Sequence, residues 1–308
     1  MPRAINLNRF DLASLRLFVA VVEGGSLTAG AERFGISLAA ASKRIGELEA
    51  HVGAVLLQRS KRGVVPTAAG QTLLRHAIGV AAGVEQLAMA MDDFQRGAGG
   101  HLQLWANTSA FGGFLPQVLA AYASAHPEVM IDLEDALSED AVRAVAGGAT
   151  ELAVIGANTP AEGLQTLVCD VDELVLLLPV GHPLCREAAV ALKDVLALDI
   201  IGLARSTSLM RQIASAADAA GRALRIRMQV RSFDAMCRMV ATGLGVAILP
   251  RAGAAPHLKS MGLSAVRLTG MRTERHLLLA MRDRQSLSPP AMAFVAMVEQ
   301  RLASRAAP

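Results

Sequence analysis

The first seventy residues are punctuated in a way that few folds can satisfy. Leu12, Leu15, Phe18, Val19 and Val22 recur at helical spacing and stop at Gly24-Gly25. Ser26 then stands as the N-cap of a short helix over 27–34, and Gly35 supplies the left-handed residue of a tight turn. Ser37 caps a third helix that runs to about Val52 with Ala41, Ile45 and Leu48 on its inner face, and Gly53 ends it. A short helix, a glycine turn and a longer helix make a helix-turn-helix. The small residues Gly30 and Ala31 are expected to let those two helices approach closely. Two short extended pieces follow, Leu56–Gly63 and Val64–Thr67, around a basic glycine turn, which predicts a wing.

Charge separates this segment from the rest. Residues 1–63 hold nine Lys/Arg against five acids, a surplus of four, whereas the remainder holds 21 against 22. A basic head on a near-neutral body fits an anionic partner for the head, nucleic acid first, or simply a solvated basic face; charge alone does not choose. The outer face of the third helix carries Ala39, Ala40, Ser42, Lys43 and Glu47, the side that would enter a major groove. Arg59, Lys61 and Arg62 in the wing are placed to meet phosphates or a minor groove.

Ordered residues carry a family resemblance here. Phe18, Gly25-Ser26, Ala31-Glu32, Ser37, Ser42, Ile45, Leu48-Glu49, Gly53, Leu56-Leu57, Arg59 and Pro66-Thr67-Ala68-Ala69-Gly70 resemble the winged helix-turn-helix of the LysR-type transcriptional regulators, densely over about residues 9–70. One departure stands out: Leu38-Ala39 occupies the place of the family's usual Gln-Pro, which removes a common base or phosphate contact but not the helix. The DNA-contacting set is read as Ser26, Thr28, Ser37, Leu38, Ala39, Ser42, Lys43, Arg59, Lys61 and Arg62. The resemblance implies that Glu49 pairs with the wing residue Arg59 rather than touching bases.

After Gly70, Leu73, Ala77, Val80, Val84, Leu87, Met91 and Phe94 alternate in steps of four and three. That is a heptad seam, widened by Leu74, Ala81 and Ala88, and a seam needs a partner helix. A helix packed on its own chain is the competing reading. Similar regulators use this segment as a dimerising linker helix, and a two-fold dimer implies a pseudo-palindromic site on double-stranded DNA. Gly97–Gly100 ends it.

From Leu102 the pattern changes to an α/β alternation. Strands are expected at 102–106, 129–134, 152–156, 174–179, 200–203, 226–230, 246–250 and 277–281. Helices are expected at about 113–125, 138–147, 207–220, 233–243 and 288–303. Open α/β sheets bind ligands beyond the carboxyl ends of their strands. Two such ends are rich in hydroxyls: Asn107-Thr108-Ser109, and Arg205-Ser206-Thr207-Ser208. This body resembles, more loosely, the co-inducer-binding domain of the same family, a periplasmic-binding-protein-like pair of α/β lobes. Leu115-Pro116, His126-Pro127, Gly181-His182-Pro183-Leu184 and Val240–Pro250 carry the likeness. It implies a small effector between the lobes, touching Asn107, Thr108, Ser109 and Ser138 from one side and Ser206, Thr207, Ser208, Phe233 and Asp234 from the other. Hydroxyls and helix N-termini suit a carboxylate or another small anion. Ordinary helix capping is the alternative for each Ser/Thr taken singly and for Asp234, and Arg205 either pairs with an anionic effector or is solvated.

The expected organisation is therefore a winged helix-turn-helix over 8–66, a linker helix over 67–97, and an effector domain over 101–306. Within that domain one lobe takes 101–160 plus 270–306 and the other 163–268. The expected function is a sequence-specific transcriptional regulator modulated by a small-molecule effector. Its expected partners are DNA, its own copies as a homodimer and homotetramer, and RNA polymerase. The competing readings are a solute-binding protein or an architectural DNA binder without effector control.

Other classes find little support. Hydrophobic residues make up 53% of the 308, yet no apolar run approaches the ~18 residues that span a bilayer. Met1–Phe10 lacks the apolar core and cleavage site of a secretory signal, so a cytoplasmic chain is expected. Cys169, Cys185 and Cys237 form no CxxC or metal spacing and read as reduced thiols. There is no Walker loop, no GxGxxG after a strand, no GxSxG, no HExxH and no Cys/His cluster, so neither an enzyme nor a cofactor or metal is expected.

Overall fold

The computed structural model describes residues 10–60, 63–96 and 99–306. The chain divides into two compact units, one of residues 1–92 and the other of 93–146 and 150–308, with 147–149 grouped with the first.

The first unit begins with α1 (Leu12–Glu23). The carboxylate of its N-cap, Asp11, accepts hydrogen bonds from the Ser14 N–H at 2.8 Å and the Ser14 hydroxyl at 2.6 Å. Next come α2 (Leu27–Phe34) and α3 (Leu38–Val52), each starting at its expected serine. The Ser26 hydroxyl accepts from the Ala29 N–H at 3.0 Å and the Ser37 hydroxyl from the Ala40 N–H at 3.2 Å. Gly35 (φ +67°) and Gly53 (φ +73°) end these helices in the left-handed region that favours glycine. Leu17, Phe18, Val21, Ala41, Ile45, Leu48 and Leu56 form the core.

The role expected of Gly30 needs correcting. A Cβ there would lie 2.3 Å from Val21 Cγ2. The glycine therefore lets α2 close on α1, not on α3.

The wing consists of β1 (Leu57–Ser60) and β2 (Gly63–Pro66), paired antiparallel. The Val64 N–H donates to the Gly25 carbonyl at 2.8 Å, so the wing is stitched to the α1–α2 turn. A long helix, α4 (Ala68–Arg96), follows. Thr67 closes its entry: its hydroxyl donates to the Val55 carbonyl at 2.7 Å and accepts from the Gly70 N–H at 3.0 Å. The expected heptad seam divides along α4. Leu73, Leu74 and Ala77 pack into the head core, so the first turns bury their apolar face within their own unit. Beyond them Val80, Val84, Leu87 (61% exposed) and Met91 (51%) stand in solvent.

The second unit opens with β3 (His101–Ala106), α5 (Thr108–Phe111), α6 (Leu115–Ala125), β4 (Met130–Asp135), α7 (Ser138–Gly147) and β5 (Leu152–Gly156). It continues with β6 (Gln165–Pro179), β7 (Ala189–Ala191), α8 (Leu192–Val195), β8 (Ile200–Gly202), α9 (Ser208–Ala219), β9 (Ile226–Gln229) and α10 (Phe233–Ala241). It closes with β10 (Ala247–Pro250), α11 (Arg251–Ala254), β11 (Leu263–Thr269), β12 (Glu274–Met281) and α12 (Pro289–Ala306). The main sheet runs β4-β3-β5-β12-β6-β11-β7, with β10 also on β6, and β8 pairs with β9 separately.

β6 is the spine of this unit. Its first part, Gln165–Glu173, pairs with β12, and its second, Leu174–Pro179, lies against β10 and β11. The cores divide at the same point. Leu102, Tyr122, Leu152, Cys169, Leu279 and Phe294 belong to one cluster, and Leu174–Leu178, Ile201, Met210, Val240 and Ile248 to another. Two lobes thus share crossing strands.

The sequence predicts this strand only from Leu174. Asp170, Asp172 and Glu173 interrupt the apolar pattern, yet each finds a partner in the fold. Buried Asp170 takes Arg301 at 2.9 Å and Arg305 at 2.6 Å from α12. Asp172 accepts from the Ala252 N–H at 3.2 Å, and Glu173 pairs with Arg251 at 3.2 Å. β7 and β11 are likewise unexpected: β7 is only three residues long, and Ser264, Arg267 and Thr269 break up the apolar run of β11. Among the described residues no helix is long and apolar enough to cross a membrane, and no side-chain group could hold a metal.

Candidate functional site

The head presents the expected face of α3. Leu38, Ala39, Ala40, Lys43 and Glu47 are exposed, and Thr28 is exposed on α2. Ser42 is half-buried on α3. Ser26 and Ser37 serve as caps first, so their hydroxyls are already engaged with backbone. Lys43 pairs with Glu47 at 3.9 Å on a solvated surface, where such a contact is weak. Other basic residues of the head are spent internally: Arg33 pairs with Glu23 at 2.7 Å and Arg44 with Asp11 at 3.2 Å. Lys61, Arg62 and the Arg59 side chain lie outside the described residues.

Glu49 has a structural task. Its Oε1 accepts from the N–H groups of Leu56 (2.7 Å) and Leu57 (3.2 Å), which fixes the chain entering the wing. Its expected pairing with Arg59 lies outside the described residues.

In the body, two hydroxyl-rich strand ends meet. Asn107, Thr108 and Ser109 from one lobe and Thr207 and Ser208 from the other line one cavity, with Ser138, Ala136, Leu137, Leu203 and Leu209. Buried Asn107 organises one wall. Its Oδ1 accepts from the N–H groups of Ser109 and Ala110, both at 3.1 Å, and its Nδ2 donates to the Ser138 hydroxyl oxygen at 3.2 Å. That oxygen also accepts from the Gly156 N–H at 3.2 Å. On the opposite wall Thr207 caps α9, accepting from the Met210 N–H at 3.3 Å and donating to the Ala204 carbonyl at 2.9 Å. The Ser208 hydroxyl accepts from Arg275 Nη2 at 2.7 Å. The N-termini of α7 and α9 therefore point into one polar space, the arrangement that favours an anion.

That space is nearly closed. Its volume is ≈ 20 Å³, room for about one water. Contacts across the lobes hold it shut. Glu139 on α7 pairs with Arg211 on α9, and Asn158 Nδ2 donates to the Ser208 carbonyl at 2.8 Å. A Cβ on Gly156 would come within 2.6 Å of the Ser208 hydroxyl, so only glycine permits this approach.

Three expected residues are not in this cavity. Ser206 is exposed, and its carbonyl accepts from Arg211 Nη1. Phe233 is a core residue whose ring fills the space left by Gly112 and Gly253, where a Cβ would come within 2.8 and 2.6 Å of Phe233 Cδ2. Asp234 is half-buried and pairs with Arg238 at 2.8 Å, a hydrogen bond that holds its carboxyl below the usual range. Arg205 is exposed. The sequence reading missed Arg275 and Asn158. Arg275 lies two residues before the strand expected at 277–281, and β12 begins earlier, at Glu274. The cysteines are unbonded, and burial pushes the Cys169 thiol well up and that of Cys237 to about 11.

A winged helix-turn-helix with an exposed groove-facing helix, carried with a two-lobed α/β body that closes over a polar cavity, defines a ligand-responsive DNA-binding class. Comparison with known proteins makes this specific. Residues 12–71 match the family described as "Bacterial regulatory helix-turn-helix protein, lysR family", and residues 95–303 match "LysR substrate binding domain". The chain belongs to the LysR family of DNA-binding transcriptional regulators, and it is not an enzyme.

Among its relatives, a "Probable RuBisCO transcriptional regulator" of Trichormus variabilis is 27% identical over 291 residues, covering 92% of this chain and 86% of the relative. A protein of the same name from Guillardia theta is 28% identical over 274 residues, with 87% and 88% covered. The fold is also that of CbnR, a LysR family transcriptional regulator, with a TM-score of 0.69, 21% identity and coverage of 94% and 99%. Full-length OxyR from Pseudomonas aeruginosa aligns with a TM-score of 0.63, 18% identity and 94% of each chain.

Proposed function

We propose that this regulator works as a homodimer, assembled further into a tetramer, whose paired heads grip a pseudo-palindromic promoter site. On this reading a small carboxylate or similar anion bound between the lobes alters that grip. Exposed Val84, Leu87 and Met91 on α4 support the dimer, because an apolar stripe at heptad spacing lacks cover within its own unit. The DNA-contacting residues in this reading are Ser26, Thr28, Ser37, Leu38, Ala39, Ser42, Lys43, Arg59, Lys61 and Arg62. RNA polymerase is the partner through which such a complex would act, and the cytoplasm its location.

The observation that carries the effector reading is the convergence of Asn107, Thr108, Ser109 and Ser138 with Thr207 and Ser208 on one cavity at the N-termini of α7 and α9. The cavity's ≈ 20 Å³ volume supports a two-state mechanism. An effector larger than water enters only if the lobes part, so it binds the open state and not the closed one. That differential affinity is what a ligand needs in order to shift an equilibrium.

The test is a screen of small carboxylates for those that change DNA affinity, followed by Ser109→Ala. The variant keeps wild-type DNA affinity and loses most of the effector response, measured by anisotropy on a labelled promoter fragment. An unaltered response removes Ser109 from the pocket.

A further inference from the structure

A second cavity of the body shares none of its wall residues with the interlobe site. It is a cleft of ≈ 690 Å³ between α9, the end of β5 and the start of β12, within the size range of small-molecule sites. Arg275, on β12, lies against it and is only 3% exposed. Its Nη1 donates to Gln212 Oε1 at 3.0 Å and its Nη2 to the Ser208 hydroxyl at 2.7 Å. Its buried Nε has no hydrogen-bond partner, and among the described residues no carboxylate stands within ion-pair distance of the guanidinium. Burial lowers its pKa to about 10, with Asp172 offsetting and Arg211 adding to that effect.

Asp172 on β6, the cross-strand neighbour of Arg275, eases the charge without forming an ion pair. A buried cation without a direct ion pair is costly, and so is an orphaned buried donor. Two neutral hydrogen bonds explain how Arg275 tethers α9. They leave the charge and the Nε unexplained. The rest of the cleft agrees with an anion. Arg272 adds a second guanidinium and Ser215 a hydroxyl, while Met271 and the alanines of α9 supply an apolar floor. The carboxylate on the wall, Glu274, is already engaged by His276 at 2.6 Å and Arg272 at 3.5 Å.

We infer that this cleft is a second binding site, for a small organic anion whose carboxylate or phosphate group supplies the direct ion pair that Arg275 lacks. The site does not depend on the interlobe reading. The two are adjacent through one side chain, because Arg275 also holds Ser208, a wall residue of the interlobe cavity. An anion that draws the guanidinium towards the cleft therefore loosens Ser208, and linkage makes the effect reciprocal.

The experiment is isothermal titration of the full-length protein with citrate and, separately, with inorganic phosphate, at constant ionic strength. At least one of the two should bind saturably at one site per chain, and the pair distinguishes a carboxylate site from a phosphate site. Arg275→Gln should weaken that binding about tenfold or more. Ser215→Trp, which fills the cleft while keeping Arg275 in the chain, should do the same in a chain whose thermal stability is kept. Thr108→Ala, on the interlobe wall, should leave it unchanged. Three results overturn the inference: no saturable binding of either anion below about 10 mM, binding that survives Ser215→Trp, or binding lost in Thr108→Ala.

Discussion

The two binding regions differ in readiness. The head offers its proposed contacts on an open helix face: Leu38, Ala39 and Lys43 are exposed, and the caps and turns beneath them are closed by backbone hydrogen bonds. The body hides its proposed contacts, with Asn107, Ser109, Ser138 and Ser208 all buried around a one-water cavity. DNA can dock on the head without rearrangement of that unit. On the proposed reading an effector must first separate two lobes held by Glu139–Arg211 and Asn158–Ser208. On that reading the difference teaches where control would reside: an always-ready reader regulated by a part that has two states.

Four substitutions break or sharpen this contrast. The largest effect is expected in the head. At Gly70 a Cβ would lie 2.0 Å from the Leu56 carbonyl oxygen, which belongs to backbone and cannot turn aside. Gly70→Val should destabilise the head by about 3 kcal/mol and abolish DNA binding, as read by denaturant unfolding and anisotropy. Next comes Gly156→Ala in the body, where the added methyl meets the Ser208 hydroxyl and forces the lobes apart. It should cost about 1–2 kcal/mol and mimic effector in the DNA assay without any ligand. Lys43→Ala should weaken binding to every DNA sequence alike and flatten the slope of log affinity against log salt by about 1.

The smallest effect is a pH dependence. Hydrogen bonds from Ser14, with a further contribution from Arg44, hold the Asp11 carboxyl below its usual 3.8. A lowered acid stabilises the fold above the unfolded pKa, and that contribution is lost as pH falls through the folded value. Asp11→Ala should therefore cost about 1 kcal/mol at neutral pH, with the gap from wild type closing below pH 3.8.

Legibility followed range. Ser26, Gly35, Ser37 and Gly53 act within three or four residues of themselves, and all four sit where the sequence places them. The Thr67 and Gly70 roles needed the Leu56 carbonyl beside α4, which no local pattern reveals. In the body the strand ends at Asn107 and Thr207 were readable because hydroxyls follow apolar runs. The first part of β6 was not, because Asp170 is matched only by Arg301 and Arg305, more than a hundred residues away. Phe233 was expected in the pocket and belongs to the core, since two distant glycines make room for its ring. Arg275 is illegible in the sequence for the same reason: its partners Ser208 and Gln212 come from a helix about sixty residues earlier.

The account rests most directly on selective DNA binding by the head. Fluorescence anisotropy of the full-length protein on the duplex upstream of its own gene, against a scrambled duplex, across a salt series, measures that selectivity. The account predicts tight binding to the native fragment that survives moderate salt, with weak, salt-sensitive binding to the scramble. Equal and equally salt-sensitive binding to both would contradict it.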